Sequence, residues 1–298
     1  MSWLQKVTGP SQKSDLKNRT VLLVGPTSGV GEALARQLAE ANANLVLAGR
    51  SAEKLAALKN ALQRKTTASV QTVQVDLANL NSIKHAAAEL HETVSRIDLL
   101  IANAGVLYRG SERRLTDDGF ELCMGVNHLG NAALILAVAD LIKVATLARV
   151  VIVASEAHRR AGNQLIEDLM GERKFTNGKA YSRSKLANIL FARELARQWQ
   201  SSGVTVYSAH PGGVDTPMMD TTANANAFTR TLKLLLGSAL ISADQAATGI
   251  MCIATNHAVN EETGTYFELG RANRGSEQSR DVALAQQLWQ KTGELLKL

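Results

Sequence analysis

The 298-residue sequence has few cysteines, few aromatic residues and no long apolar run, and each shortage excludes a class of protein. Its two cysteines, Cys123 and Cys252, are too few for a disulfide framework, which indicates the cytoplasm or another reducing compartment. Because no run of about 18 apolar residues occurs, no transmembrane segment is predicted. Aromatic residues make up only 4% of a chain that is 45% hydrophobic, so the core must be aliphatic and rich in alanine.

The start of the chain also lacks the apolar middle of a signal peptide. Its lysines and polar residues predict a disordered or lightly packed arm over residues 1–18. The net charge of +6 would suit nucleic-acid binding, but the charges are scattered and the longest basic runs are pairs such as Arg113-Arg114. We therefore expect no nucleic-acid partner, and a solvated surface with some attraction for anionic cofactors.

Short apolar runs alternate with helical patterns along most of the chain. Strict alternation predicts parallel strands with right-handed crossovers, and strands that are apolar throughout predict helices on both faces. The expected fold is α/β, a single Rossmann-type doubly wound domain with a parallel sheet of six to seven strands. The predicted strands are residues 21–24, 45–47, 70–75, 98–101, 150–153, 204–207 and, as a seventh, 265–268.

This pattern assigns residues 19–270 to one dinucleotide-binding and catalytic domain, followed by a C-terminal helical extension over 271–298. Residues 212–241 form an irregular segment between a strand and a helix, and we interpret them as a substrate loop or lid. Flexible methionines and leucines there suit a lid over a lipophilic substrate. Packing against the domain, a subunit contact and a membrane contact are the alternatives. The apolar residues are Met218, Met219, Phe228, Leu232 and 234–236.

A glycine-rich turn joins the first predicted strand to an amphipathic helix. Glycine allows a sharp turn and a close approach of the backbone to a ligand. The free N–H groups and the dipole of the following helix favour a pyrophosphate. The spacing is GxxxGxG, and its place after the first strand of an alternating sheet predicts a dinucleotide site. The expected contacts are Gly25, Thr27, Ser28, Gly29, Val30 and Gly31.

The end of the second predicted strand indicates which dinucleotide binds. An acidic residue there would bind the ribose 2′-hydroxyl of NAD. The sequence instead reads Ala48-Gly49-Arg50-Ser51. An arginine can bind a 2′-phosphate through charge-assisted hydrogen bonds, so NADP(H) is favoured over NAD(H). A solvated charge at the strand end is the alternative for Arg50.

Tyr181 and Lys185 lie four residues apart on a predicted helix, so their side chains share one face. A nearby ammonium favours the phenolate and lowers the pKa of a tyrosine, which suits proton transfer to or from a substrate oxygen. A tyrosine and a lysine at this spacing also occur on helices without any catalytic role. Whether this pair is catalytic therefore depends on the other motifs of the sequence.

Together these residues resemble the short-chain dehydrogenase/reductase family over roughly residues 18–270, and its retinol dehydrogenase-like branch in particular. Asp118-Gly119-Phe120-Glu121, Val126-Asn127-His128-Leu129-Gly130 and Gly264-Thr265-Tyr266-Phe267 are similar to that branch. The resemblance implies a catalytic set of Asn127, Ser155, Tyr181 and Lys185. It implies further cofactor contacts at Asp76, Leu77, Asn103, Ala104, Gly105, Tyr181, Lys185, Pro211, Gly212 and Thr216.

The resemblance also implies an activity. We expect an NADP(H)-dependent oxidoreductase that interconverts a carbonyl and an alcohol on a lipophilic small molecule, with Tyr181 as general acid and base. Asn127 would hold a water that links Lys185 to solvent. A homodimer or homotetramer through helices near 116–145 and 176–201 is implied as well. The alternative is a non-catalytic NADP(H)-binding module that senses redox state.

No metal site is expected, because His85, His91, His128 and His257 show no metal-ligand spacing. His158 follows Ser155 by three residues, which invites a serine–histidine pair. No Gly-x-Ser-x-Gly elbow surrounds Ser155. His158 is therefore interpreted as a residue of the pocket rim or the surface.

Overall fold

The computed structural model describes residues 15–108, 110, 112–214, 241–255 and 261–298, which form one α/β domain. In this part of the chain, eight strands form one sheet in the order β3-β2-β1-β4-β5-β6-β7-β8. Neighbouring strands are parallel except β7 and β8, which pair antiparallel. The strands are β1 (Thr20–Val24), β2 (Asn44–Gly49), β3 (Val70–Gln74), β4 (Leu99–Ala102), β5 (Arg149–Val153), β6 (Thr205–His210), β7 (Tyr266–Glu268) and β8 (Arg271–Asn273).

Helices connect the strands and cover both faces of the sheet. The α-helices are α1 (Gly29–Glu40), α2 (Ala52–Gln63), α3 (Leu80–Thr93), α4 (Leu122–Met124), α5 (Asn131–Ala137), α6 (Ala139–Lys143), α7 (Asn177–Gln198), α8 (Ala243–Thr255) and α9 (Val282–Leu296). A π-helical turn, Gly125–Gly130, joins α4 to α5. Short 3-10 turns occur at Glu156–Arg160, Gln200–Ser202 and Gln278–Arg280.

The alternation of side chains along each strand divides the core into two layers. Val21 and Leu23 of β1 pack with residues of α1, α2 and α8. Leu22 and Val24 pack on the opposite face, with residues of α3, α5 and α7. The predicted fold class is confirmed, and the sheet exceeds the predicted count by one strand.

The additional strand, β8, consists of Arg271, Ala272 and Asn273, and the first two are exposed. It is an antiparallel edge strand with no apolar run, so hydrophobic patterning gives no sign of it. Residues 271–298, expected as a helical extension, therefore begin with a strand and continue into α9.

Helix α9 packs against α7. The Trp289 ring stacks on Phe191 of α7 with a centroid separation of 5.5 Å and an interplanar angle of 18°. Thr292 Oγ1 lies 2.9 Å from His128 Nε2 of the π-helical turn. Part of the α7 surface expected to pair with another subunit is thus covered within the chain, and the expected oligomer stays a prediction.

Several expectations fall outside the described residues. They are Thr216, the apolar residues of the lid interpretation and most of the predicted N-terminal arm. The predicted compartment is likewise untested, although Cys123 and Cys252 are free thiols. Among the described helices, none combines the length and the hydropathy that crossing a bilayer would need.

Candidate active site

A cavity of about 590 Å³ opens at the carboxyl ends of the central parallel strands. This is where ligands bind in open doubly wound sheets. The cavity brings together most residues that the sequence predicted for the site. They are Gly25, Thr27, Ser28, Gly29, Val30, Gly31, Arg50, Asp76, Leu77, Asn103, Ala104, Gly105, Ser155, Tyr181, Lys185, Pro211 and Gly212.

The glycine loop forms one wall of this cavity. Gly25 has a φ of +78°, and its N–H donates to the Ala48 carbonyl at 2.8 Å. A β-carbon on Gly25 would lie 2.7 Å from Cα of Ala104, so only glycine fits there. The Ser28 side chain makes no capping hydrogen bond at the start of α1. The first N–H groups of α1 are therefore not satisfied by that side chain and suit an anion.

Polar residues at the ends of β2, β3 and β4 form the rest of this wall. Asn103 Nδ2 donates to the Gly25 carbonyl at 2.8 Å and so fixes the glycine loop. Asp76 Oδ1 accepts from the Ala78 N–H at 2.9 Å, which is the geometry of a turn residue at the cavity edge. Arg50 is exposed, and its guanidinium has no ion pair or hydrogen bond among the described residues. The cavity therefore fits a dinucleotide, with a glycine cradle, an uncapped helix start and a cation at its edge.

The Tyr181 phenol and the Ser155 hydroxyl meet at the other end of the cavity. Thr176 caps α7 by accepting from the Lys179 N–H at 3.3 Å, which starts the helix one turn before Tyr181. Ser155 accepts from the Ala157 N–H at 3.2 Å and also hydrogen-bonds to Tyr181. Burial raises the pKa of Tyr181, although the bond to Ser155 lowers it. Lys185 is not among the causes of this shift, so the expected lowering of the Tyr181 pKa by its ammonium is not seen.

The reason lies in the position of Lys185. Its Nζ donates to the Val153 carbonyl at 3.0 Å and lies 5.7 Å from the centroid of the Tyr181 ring. Lys185 is only 3% exposed, and burial lowers its pKa to about 8. A buried lysine with this pKa can change its protonation state near neutral pH. Asn188 Nδ2 donates to the same carbonyl at 3.1 Å.

Asn127 lies behind the cavity wall, in the π-helical turn, and is fully buried. Its Oδ1 accepts from the Val106 N–H at 2.6 Å. Its Nδ2 donates to the Val106 carbonyl at 3.0 Å and to Ser184 Oγ at 2.9 Å. A β-carbon on Gly105 would lie 3.2 Å from Asn127 Oδ1 and 3.3 Å from Lys185 Nζ. Asn127 and Lys185 thus face the same glycine, and the expected water relay stays a prediction.

His158 is not a rim or surface residue, and that interpretation was wrong. The side chain is fully buried. Its Nδ1 lies 2.7 Å from the Ser155 carbonyl, and its Nε2 accepts from the Ser276 N–H at 3.1 Å. The 3-10 turn after β5 points the ring inward, so His158 links the Ser155 turn to the loop before α9. Sequence reasoning also missed Ser184, which accepts a hydrogen bond from Asn127 of the π-helical turn, and Asn188, which donates to Val153 of β5.

Cys123 is buried beside the catalytic candidates. Burial, together with the negative charge of Glu121, raises the pKa of its thiol to about 11. Because the thiolate is the reactive form, this cysteine is an inert packing residue near neutral pH.

Comparisons with known proteins agree with this geometry. Residues 19–227 match the family model described as short chain dehydrogenase. The chain is 34% identical to human retinol dehydrogenase 13 over 98% of this chain and 89% of that protein. It is 33% identical to the WW domain-containing oxidoreductase of Drosophila melanogaster over 95% and 69% of the two chains.

Solved structures share the fold. A crystal structure of a protein from Mycobacterium paratuberculosis superposes with a TM-score of 0.73 at 30% identity, covering 97% of this chain and 98% of that chain. The NADP complex of Pseudomonas aeruginosa RhlG superposes with a TM-score of 0.70 at 21% identity, covering 92% and 99%. At that identity the second likeness shows the fold alone.

Proposed function

Since this chain belongs to the short-chain dehydrogenase family and is an oxidoreductase of CH–OH groups, we propose that it interconverts a lipophilic carbonyl and its alcohol with NADP(H). Tyr181 is the general acid and base of this reaction. The convergence of Ser155, Tyr181 and Lys185 on one cavity with the glycine loop carries the proposal. A module that only binds the dinucleotide has no need of these three side chains.

Each side chain has a task that follows from its position. The bound nicotinamide supplies or accepts the hydride. Tyr181 gives its hydroxyl proton to the carbonyl oxygen during reduction and takes it back during oxidation. Ser155 hydrogen-bonds that oxygen and orients it, as it already bonds to the phenol. Lys185 places a positive charge beside the Tyr181 ring and favours the phenolate whenever its Nζ is protonated.

The proposed preference for NADP(H) rests on Arg50. This side chain lines the cavity at the end of β2 without a partner among the described residues. A guanidinium in that place can bind a phosphate through two parallel hydrogen bonds. No acidic residue that could bind the 2′-hydroxyl of NAD follows β2 directly, where the sequence is Arg50-Ser51-Ala52.

The proposal of a lipophilic substrate rests on the cavity wall and on the relatives. Val106, Leu107, Leu122 and Val126 line the cavity with apolar side chains. Apolar walls with a few polar groups are typical of sites for small hydrophobic ligands. Three human relatives at 33–34% identity are named as retinol dehydrogenases, which makes retinol the first substrate to test.

A substrate panel tests this function. Purified protein would be assayed by nicotinamide absorbance with retinol and long-chain alcohols plus NADP⁺, and with the matching aldehydes plus NADPH. Short polar alcohols serve as the control. Turnover of the lipophilic pair with NADP(H) is expected. Binding of NADPH without turnover of any carbonyl would contradict the enzyme proposal and favour the sensing module.

A further inference from the structure

Three side chains of metal-binding type meet at the ends of β5, β6 and β7. Glu156 follows Ser155 just after β5, His210 ends β6 and Glu268 ends β7. One ring nitrogen of His210 and one oxygen of each carboxylate lie within 4.8 Å of one another. His210 and Glu268 are direct partners in the register of the sheet. None of the three has a role in the proposed reaction.

The histidine of this cluster is buried, and only one of its two ring nitrogens has a hydrogen-bond partner among the described residues. His210 is 8% exposed, and its Nδ1 accepts one long hydrogen bond of 3.4 Å from the Gly212 N–H. Its Nε2 has no hydrogen-bond partner among the described residues. His210 is thus a side chain more than nine-tenths buried with one ring nitrogen available to bind an ion.

Two more buried hydroxyls on this face of the sheet lack partners. Tyr266 precedes Glu268 by two residues on the same face of β7, and Ser208 is its register partner on β6. Both residues are fully buried, and neither hydroxyl oxygen has a hydrogen-bond partner in the described part of the chain. The Tyr266 and Ser208 hydroxyls are therefore buried on the face of the sheet that also carries His210 and Glu268.

The charges of the cluster are poorly balanced. Glu268 Oε2 accepts from Asn273 Nδ2 at 2.9 Å and lies 3.8 Å from Arg159 Nη2. Glu156 has no ion pair or hydrogen bond from its carboxylate among the described residues. Two carboxylates at this distance repel each other, and a cation between them would remove that repulsion.

We propose that Glu156, His210 and Glu268 bind a first-row divalent cation such as Mn²⁺ or Zn²⁺ at the rim of the cavity. An imidazole nitrogen with two carboxylate oxygens suits these ions better than Mg²⁺, which prefers oxygen ligands alone. The ion ties together the ends of three strands and fixes the backbone immediately after Ser155. Binding at this site does not depend on the proposed reaction.

Metal titration of the whole chain tests the site. Chelator-treated protein would be titrated with MnCl₂ and ZnCl₂ by calorimetry, and free Mn²⁺ would be counted by electron paramagnetic resonance. One ion per chain is expected, with affinity reduced about tenfold or more in Glu268→Gln. The matched control is Glu89→Gln, an exposed acid of α3, which should leave the affinity unchanged. Failure of both ions to bind below about 1 mM, the weak end of specific sites, overturns the proposal.

A second variant separates a metal site from an ion pair. In Arg159→Gln the competing guanidinium beside Glu268 is removed, so Mn²⁺ should bind several-fold more tightly. Unchanged affinity in this variant and in Glu268→Gln would mean that the ion binds elsewhere. The exposed pair His91 and Asp140 is one such place, and Zn²⁺ binding abolished by His91→Gln alone overturns the proposal. Equal affinities for Mg²⁺ and Mn²⁺ would exclude His210 as a ligand and overturn it as well.

Discussion

Arg183 Nη2 donates to Asp168 Oδ2 at 3.0 Å, and the two side chains are only 7% and 3% exposed. Arg183 lies between Tyr181 and Lys185 on α7, so this ion pair joins the catalytic helix to the segment before it. Arg183 Nη1 also donates to the Asp168 carbonyl at 2.8 Å, and the Arg173 N–H donates to Asp168 Oδ1 at 3.0 Å. The segment is thus fixed to α7 by backbone and side chain together.

Breaking this pair from one side should destabilise the fold. In Asp168→Ala the Arg183 charge stays buried without its partner, which costs about 3–5 kcal/mol. Urea unfolding measures the change. The double variant Asp168→Leu with Arg183→Met removes both charges and should recover much of the loss. If the double variant is as unstable as Asp168→Ala, the ion pair is not the source of the effect.

Tyr181→Phe should reduce kcat by about 10²–10⁴-fold, because the general acid and base is lost. NADPH affinity should stay nearly unchanged, since the ring remains in place. Steady-state kinetics and a calorimetric titration measure the two effects. Tyr207→Phe is the matched control, as its hydroxyl donates to the Glu261 carbonyl away from the cavity. Unchanged turnover in Tyr181→Phe would remove Tyr181 from the mechanism.

Lys185→Met should abolish efficient turnover but stabilise the protein at neutral pH. Burial lowers the pKa of Lys185 from 10.5 to about 8, so its charged form is unfavourable in the folded state. Asn188 still donates to the Val153 carbonyl when the ammonium is gone. We therefore expect a higher Tm for the variant at pH 7.

The pH dependence of that difference has a definite sign. Between pH 8 and 10.5 the unfolded chain keeps a proton on Lys185 that the folded chain has lost. The free energy of unfolding of the wild type therefore rises relative to that of Lys185→Met as the pH rises through this window. Thermal unfolding at neutral and alkaline pH measures the gap. If the Tm advantage of Lys185→Met over the wild type grew with pH, the burial of a charged lysine would be contradicted.

Arg50→Gln should weaken NADPH binding by about 10–100-fold, the loss of one charge-assisted contact. NADH binding should change little, because NADH has no 2′-phosphate. Calorimetric titration with both nucleotides measures the ratio. Arg64→Gln, a change of similar chemistry at the end of α2, is the control. Equal losses for both nucleotides would mean that Arg50 contacts a part they share.

Gly105→Ala should impair catalysis with little effect on folding. The added methyl group would press on Asn127 Oδ1 at 3.2 Å and on Lys185 Nζ at 3.3 Å. Because both contacts are tighter than usual, we expect kcat to fall more than Tm. Circular dichroism and kinetics on the same preparation separate the two effects. If the variant keeps the wild-type kcat, the space between Asn127 and Lys185 beside Gly105 has no role in catalysis.

The sequence predicted the sheet because its strands are apolar runs separated by helical repeats. It predicted the cavity residues because the glycine loop and the strand ends are contiguous motifs. It could not predict β8, whose pairing depends on β7 and not on its own three residues. Edge strands of this kind carry no periodic signal.

Contacts between side chains from distant segments could not be predicted from the sequence. Glu156, His210 and Glu268 come from three strand ends, so no spacing along the chain marks them. His158 reads as a surface residue until the turn after β5 is seen to bury it. The pKa of Tyr181 depends on how much water reaches the phenol, which no motif encodes.

Helix α9 has a consequence for synthesis of the chain. Residues 282–296 emerge from the ribosome well after α7, yet they supply the ring that covers Phe191 of α7. Until then the helix bearing Tyr181 has a bare apolar side, which chaperones and proteases recognise. A premature stop codon shortly before residue 282 should therefore yield degraded protein rather than a shortened, weakly active enzyme.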